Sequence, residues 1–180
     1  MLVLASGRGE RFFASGGSTH KLRALLAGKP VLDHVLDAVR ASGLPWHLED
    51  AGHPGMGDSI AAAVRATQDA HGWLVLPGDL PLIESATLCL LADALADLQA
   101  GAAGRVQAVI PVFKGQRGHP VGFLAVCRDS LLRLKGNKGA ASVLIGYDAI
   151  EIVVNDAGCV TDVDTVQDLQ RAQILIDARP

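Results

Sequence analysis

Met1-Leu-Val-Leu-Ala-Ser-Gly-Arg-Gly-Glu-Arg-Phe12, with Lys21-Leu22 closing the small-residue loop Ala14 to Thr19, decides how the rest of the chain is read. The apolar run up to Ala5 is much too short for a membrane span and has no basic stretch before it, so it reads as a first β-strand. Because that strand starts at the first residue, a few native residues are expected to precede it. The run opens at Gly7 and Gly9 into a turn able to aim backbone N–H groups at an anion, with Arg11 and Lys21 at its end. An ordinary strand-to-helix turn with solvated arginines is the competing reading. Two common phosphate motifs are excluded. A dinucleotide fingerprint needs glycine where Phe12 stands, and a P-loop ending at Gly28-Lys29 needs glycine at Arg23 and Ser or Thr at Pro30.

Outward from this strand, short apolar runs alternate with helical patterns to the end of the chain, the sign of βαβ units and an α/β fold with a mainly parallel sheet. Further strands are expected at Trp46–Leu48, Trp73–Leu76, Ala108–Val112, Val121–Ala125 and Ile150–Val154. Helices are expected from Pro30 to about Ala41, then at Asp58–Asp69, Glu84–Leu98, Arg128–Leu134, Lys138–Leu144 and Thr165–Ile176. The first of these has proline in its first turn, a stripe of Val31, Val35, Leu36 and Val39, and Gly43 just beyond its end. The Gly/Ala stretch from Gln99 to Arg105 reads as a surface loop within one domain spanning residues 1–180.

Composition fits this reading. The 180 residues are 49% apolar and 19% charged, enough to bury a core without disulfides or a structural metal. A net charge of −3 disfavours non-specific nucleic-acid binding, which depends on Lys and Arg neutralising many phosphates. Cys89, Cys127 and Cys159 form no C-x-x-C pair, so a reduced, cytoplasmic protein without a zinc knuckle is expected. The distribution of charge says more than its sum. Up to Leu32 there are five basic residues, Arg8, Arg11, Lys21, Arg23 and Lys29, against Glu10 alone. From Tyr147 to Gln170 there are only acids: Asp148, Glu151, Asp156, Asp162, Asp164 and Asp168. If the fold joins the two ends, a cationic loop faces carboxylates, as a polyphosphate and its metal ion require.

Leu76-Pro-Gly-Asp-Leu-Pro81 places Asp79 at the carboxyl edge of a parallel strand, where open α/β sheets bind ligands. A carboxylate there suits a hard cation such as Mg2+, which favours one or two carboxylates plus substrate phosphates; Gly-Asp and Pro also simply make turns. Asp162-Val-Asp-Thr165 supplies a second pair of acids, of which Asp164 is either a metal ligand or the cap of the last helix. His119, in Arg117-Gly-His-Pro120, is a candidate acceptor-substrate contact or the exposed tip of a hairpin. Gly57-Asp58-Ser59 begins a helix whose small residues let a flat base approach, Asp or Ser otherwise serving as its cap. His20, His34, His47, His53 and His71 lack ligand spacing and read as structural or surface residues. Trp46 and Trp73 read as core or pocket wall. No Ser-His-Asp nucleophile arrangement is found.

Taken in order, these segments resemble the MobA-like NTP transferase family, most closely its molybdenum cofactor cytidylyltransferase (MocA-like) branch. Leu4-Ala-Ser-Gly-Arg-Gly-Glu-Arg-Phe12 with Lys21-Leu22 is similar to the family's nucleotide signature. Gly55-Met-Gly-Asp-Ser59 resembles the helix entry beside the base, and Gly78-Asp-Leu-Pro81 the metal motif. Arg117-Gly-His-Pro120 and Asp162-Val-Asp-Thr165 with Asp168-Leu169 match the remaining two segments. Where the family has an acid and an arginine, Gly136-Asn-Lys-Gly-Ala-Ala141 has neither, and Leu44 to Pro54 leaves room for one strand where relatives fit strand, helix, strand.

The resemblance implies a Rossmann-like, three-layer α/β/α domain of the nucleotide-diphospho-sugar transferase type. It also implies transfer of a nucleotidyl group to a phosphorylated pterin-type acceptor with release of pyrophosphate. CTP is favoured by Ala5-Ser6-Gly7 and Gly118-His119-Pro120, with GTP or another phosphorylated acceptor, or non-catalytic nucleotide or cofactor binding, as alternatives. By the same resemblance Arg11, Lys21 and Asp79 are catalytic. Nucleotide contacts fall to Leu4, Ala5, Ser6, Gly7, Gly9, Arg11, Lys21, Gly57, Ser59, Pro77 and Gly78. Asp79 and Asp164 hold Mg2+, while Gly118, His119 and Asn137 meet the acceptor. A molybdoenzyme or its chaperone is the implied protein partner, with neither nucleic acid nor membrane involved.

Overall fold

The computed structural model describes residues 1–101 and 105–178, so residues 102–104 of the expected Gly/Ala connector lie outside it. The chain runs through β1 (Leu2–Leu4), α1 (Glu10–Ala14), a small hairpin of β2 (Leu25–Leu26) and β3 (Lys29–Pro30), α2 (Val31–Ala41), β4 (His47–Glu49) and α3 (Met56–Ala66). It continues with β5 (Gly72–Pro77), α4 (Ser85–Gln99), β6 (Val106–Phe113), β7 (Gln116–Arg117), β8 (Val121–Leu124), α5 (Arg128–Leu132), β9 (Asp148–Val153) and α6 (Val166–Asp177). All six strands expected from the sequence are present. The main sheet has the order β4-β1-β5-β8-β6, with β9 and the two-residue β7 both pairing to β6. β1, β4, β5, β6 and β9 point the same way, and β8 runs antiparallel between β5 and β6.

Side-chain alternation along the strands builds the three layers. Leu2, Leu4, Trp73, Val75, Ala108 and Ile110 face α3 and α5, where Ile60, Val64 and Leu131 meet them. Val3, Leu74, Leu76 and Val109 point the other way, against α2 and α4. A period of two with both faces covered is what a buried parallel sheet requires. A third cluster of Phe12, Leu22, Leu26, Val31, Leu82, Val163 and Ala172 sits beside these layers and ties the N-terminal loop to the segment leading into α6.

Three expectations are corrected. Lys138–Leu144 is not an α-helix but two 3-10 turns, Ala140–Ser142 and Leu144–Gly146. Its buried residues Ala140 and Val143 stand three apart, the repeat of a 3-10 turn. Trp46 is exposed under the Arg40 guanidinium, whereas Trp73 is buried and donates its indole N–H to Thr67 at 2.9 Å. The hairpin tip falls at Lys114-Gly115, both at positive φ; His119 is tucked in, its N–H donating to the Cys159 carbonyl at 2.8 Å.

The turn Ala157–Val160 presses Gly158 onto the Leu82 backbone so closely that a Cβ there would clash with the Leu82 carbonyl. Gly158→Ala is therefore expected to cost about 1–3 kcal/mol, read as a lower urea midpoint with an unchanged slope. An unaltered midpoint would contradict this close approach.

Candidate active site

The crevice rule for open α/β sheets places ligands where successive connections leave a strand in opposite directions. β1 is that strand, since β4 and β5 flank it on either side. The loops leaving the carboxyl ends of β1, β4 and β5 line a cavity of about 460 Å³. Of the expected site residues, Leu4, Ser6, Gly7, Gly9, Arg11, Lys21, Ser59, Pro77, Asp79, Asn137 and Asp164 all line it. Ala5, Gly57, Gly78, Gly118 and His119 are not part of that lining.

Those off the wall have visible tasks. Ala5 donates to the Glu49 carbonyl and Gly78 to the Leu4 carbonyl, both at 2.8 Å, which locks the loops to the sheet edge. Gly57 donates to the Gly136 carbonyl at 2.8 Å; a Cβ at Gly55 would meet the Gly136 backbone and one at Gly57 the Lys135 and Lys138 backbone, so neither helix-entry position has room for a side chain. Asp58 accepts from the Gly136 N–H at 2.9 Å, so it fastens the 135–138 loop rather than capping α3, and Asn137 is carried to the cavity wall. Gly118 is buried against Cys159.

The N-terminal loop is shaped by His20. Its Nδ1 accepts from the Leu22 N–H at 3.3 Å, which leaves Nε2–H to donate to the Gly7 carbonyl at 2.6 Å. The backbone N–H groups of Gly7, Arg8 and Gly9 have no protein partner among the described residues, and Gly9 takes a left-handed conformation at φ 66°. A turn of this kind presents amides to an anion.

The charged ends of the chain do meet. Lys21 Nζ donates to Asp79 at 2.6 Å and to Asp164 at 2.7 Å, while Arg11 donates to the other Asp164 oxygen at 2.6 Å. Burial by itself would lower the Lys21 pKa, but the two carboxylates outweigh it and hold it above its ordinary value. Burial would raise Asp164, yet Lys21 and Arg11 hold it below the usual carboxylate range. Asp162 is pushed up by burial, with Asp79 and Asp164 adding to that rise.

Among the acids from 148 to 168, only Asp162 and Asp164 join this cluster. Asp156 is buried and accepts from the Glu84 and Gly158 N–H groups. Glu151 pairs with Arg117, and Asp168 forms a capping box with Thr165. That box caps α6 in place of Asp164, whose carboxylate is thereby available to Lys21 and Arg11.

His119 is half-buried behind the carboxylates, and its Nδ1 has no partner among the described residues. Burial lowers its pKa, opposed in part by Asp79 and Asp162, which favours the neutral ring. Cys127 and Cys159 are pushed by burial up to about 11, so neither thiol is a nucleophile at neutral pH.

Among the described residues no three His, Cys, Asp or Glu side chains converge as an all-protein metal site. Asp79 and Asp164 nevertheless share one ammonium, so they are already held around a single small cation. Two carboxylate donors with the remaining positions left to phosphate and water fit Mg2+ or a similar hard ion.

The sequence reading missed Glu49 and His53. Glu49 ends β4 and is only 7% exposed; its Oε1 accepts from His53 Nε2 at 3.0 Å, and His53 lines the cavity. A Glu and a His four apart on an irregular loop leave no periodic trace in a sequence.

The family model described as MobA-like NTP transferase domain matches residues 38–150. The bifunctional protein GlmU of Azoarcus sp. (strain BH72) is 29% identical over 157 residues, covering 74% of this chain and 32% of GlmU. The chain thus spans about a third of the length of that curated relative. Rv0371c of Mycobacterium tuberculosis H37Rv, solved as a manganese complex, superposes with a TM-score of 0.69 at 22% identity, covering 96% of each chain. Molybdopterin-guanine dinucleotide biosynthesis protein A of Archaeoglobus fulgidus gives 0.69 at 19% identity, covering 99% of this chain and 98% of its own. The fold is that of the nucleotide-diphospho-sugar transferases. No helix among the described residues is long and apolar enough to cross a membrane.

Proposed function

The chain belongs to the MobA-like NTP transferase family, whose members are nucleotidyltransferases, and from that premise we propose that it moves CMP from CTP to the phosphate of a molybdopterin-type acceptor. The observation that carries the reading is the Lys21–Asp79–Asp164 cluster, with Arg11 and the unpartnered Gly7 and Gly9 amides on the same cavity. The whole chain, 1–180, acts as one cytoplasmic domain, and a molybdoenzyme or its chaperone receives the product.

Both reactants are anions, so positioning and charge neutralisation carry most of the catalysis. An oxygen of the acceptor phosphate attacks the α-phosphorus in line; the bond from that phosphorus to the bridging oxygen breaks, and pyrophosphate leaves with the bonding pair. Asp79 and Asp164 would hold a divalent ion such as Mg2+, which would supply charge neutralisation to the phosphates. Lys21 and Arg11, released from the carboxylates, turn to the triphosphate, and the loop amides bind oxygens of the leaving pyrophosphate. Leu4, Ser6, Ser59 and Pro77 border the nucleoside, with Ala5, Gly57 and Gly78 setting the height of that wall from behind. Asn137 and His119, the latter based on the buried Gly118, address the acceptor. The neutral imidazole at His119 adds no charge beside an incoming phosphate.

The test is pyrophosphate release with each of CTP, GTP, ATP and UTP in the presence of molybdenum cofactor and Mg2+. CTP is expected to give the fastest release. Preference for GTP would replace the cytidylyl reading with a guanylyl one, and nucleotide binding without release under all conditions would make the protein a binding module.

A further inference from the structure

The cavity has a wall that the phosphate chemistry leaves unused. It comes from the loop 50–55, which leaves β4, and from the first residue of α3, and it presents His53, Pro54, Gly55 and Met56. β4 and β5 are both neighbours of β1, so their carboxyl ends are about two strand spacings, roughly 10 Å, apart. Asp79 follows β5 and His53 follows β4, which separates the metal-binding carboxylate from the imidazole along the sheet edge.

The ring of His53 is held in one sense. Glu49 is paired with Leu4 in the sheet register, and its carbonyl accepts from both the Ala5 N–H and the Ser6 hydroxyl. Its carboxylate accepts from the Ala51 N–H at 3.3 Å and from His53 Nε2 at 3.0 Å, and His47 Nε2 stands 3.6 Å from the second oxygen. Burial would raise the Glu49 pKa, but the Ala51 N–H and the two imidazoles hold it below its ordinary value. An ionised carboxylate only accepts hydrogen bonds, so in the neutral ring the proton is on Nε2 and Nδ1 is an acceptor. No described residue donates to that Nδ1.

We propose that His53 reads the nucleobase, its Nδ1 selecting an amino group over a carbonyl at pyrimidine C4 or purine C6, with Glu49 as the positioning residue that fixes the ring. The inference rests on the nucleotide-binding reading above and deepens it. It favours CTP over UTP and, for a purine, ATP over GTP, because an amino group donates to Nδ1 whereas a carbonyl oxygen there faces another lone pair. Sites that hydrogen-bond a substrate group discriminate against the analogue lacking it more strongly than apolar pockets do.

Equilibrium binding at pH 8 with Mg2+ and each of the four nucleoside triphosphates tests it without needing turnover or acceptor. Magnesium tripolyphosphate, which engages only the phosphate end, is the control. The wild-type protein is expected to bind CTP at least about tenfold more tightly than UTP, and ATP more tightly than GTP by a similar factor. His53→Phe keeps a flat ring without the acceptor and is expected to bring both ratios close to one, leaving tripolyphosphate affinity unchanged. Glu49→Gln is expected to narrow the CTP/UTP ratio with the same unchanged control. Equal binding of CTP and UTP by the wild type overturns the inference and leaves the nucleotidyltransferase reading standing. So does an undiminished CTP/UTP ratio in His53→Phe, or a parallel loss of nucleotide and tripolyphosphate binding, which marks His53 as structural. If the wild type binds neither nucleotide nor tripolyphosphate, the underlying reading falls and this inference with it.

Discussion

Asp79→Asn is expected to lower nucleotidyl transfer by about a thousandfold, the scale on which removing one preorganised charge-stabilising group acts, while the protein stays folded. Asn preserves side-chain size, and the turn is held by main-chain bonds, including the Val163 N–H donating to the Asp79 carbonyl at 2.9 Å. Lys21 keeps Asp164 as partner, so the ammonium is not stranded. What disappears is one of the two carboxylates that the proposed chemistry assigns to the metal ion. Asp162 supplies a second readout. Its pKa is raised mainly by burial and in part by Asp79, so the variant should bring it closer to its ordinary value, visible as a carboxyl titration by NMR. Pyrophosphate release at the wild-type rate by a well-folded Asp79→Asn protein would remove the metal assignment.

Lys21→Met is expected to have the largest combined effect, abolishing transfer and destabilising the fold. The Lys21 side chain is 12% exposed, against 17% for Asp79 and 29% for Asp164. Removing the ammonium leaves Asp79 without this partner and Asp164 with Arg11 alone, with Asp162 close by, and breaking such a buried pair costs about 3–5 kcal/mol.

The pH dependence gives the sharper test. Asp164 is depressed below 3.8, so its contribution is present above pH 3.8 and is lost as pH falls through its lower folded value. Lys21 is raised above 10.5, so its contribution is complete below pH 10.5 and is lost as pH rises through its higher folded value. Between these limits the cluster stabilises the wild type. In Lys21→Met, Asp164 loses one of the two cations that depress its pKa, and Asp162, already raised, loses the ammonium that opposes its rise, so the native variant binds more protons than the native wild type as pH falls. The stability gap between wild type and variant should then narrow as pH is lowered from 7 towards 4. Urea midpoints over that range would measure it, and parallel profiles for the two proteins would show that Lys21 does not hold this cluster together.

Much of the fold was readable from local pattern. Continuous apolar runs such as Trp73–Leu76 and Ala108–Val112 are what strands covered on both faces look like, and the stripe of Val31, Val35, Leu36 and Val39 is buried as the helical repeat requires. Failures came where tertiary contacts outvote local preference. Lys138–Leu144 carries helix-forming residues, yet Asp58 and Gly57 pin the loop before it and only single 3-10 turns follow. The hairpin of β2 and β3 has two residues per strand, too few for any period to appear. Trp46 looks like core by its chemistry but lies just before β4, which among the described residues is an edge strand with one flank unpaired.

The site was legible in part. The Gly-rich loop, Asp79 and Asp164 were visible because each occupies the end of a recognisable strand or the start of a helix. Glu49 and His53 were not, since their meaning lies in a side chain reaching back from a loop to a strand end that the sequence does not distinguish from any other. His20 was equally silent: its two ring nitrogens join Gly7 to Leu22 only once the loop is closed.

By itself the sequence determined a strand-and-helix alternation, a Gly-rich turn with cations after the first strand, and acids gathered toward the other end of the chain. Those properties follow from local periodicity, backbone sterics and composition, which need no long-range contact to be read. Only the tertiary structure decided that Lys21 would meet Asp79 and Asp164, residues 58 and 143 positions away. It also decided that Asp156, Glu151 and Asp168 would be used elsewhere, and that Glu49 would orient a histidine towards the cavity. Charge pairing depends on distance and burial, and both are set when β1, β4 and β5 come to lie side by side and their loops converge on one edge.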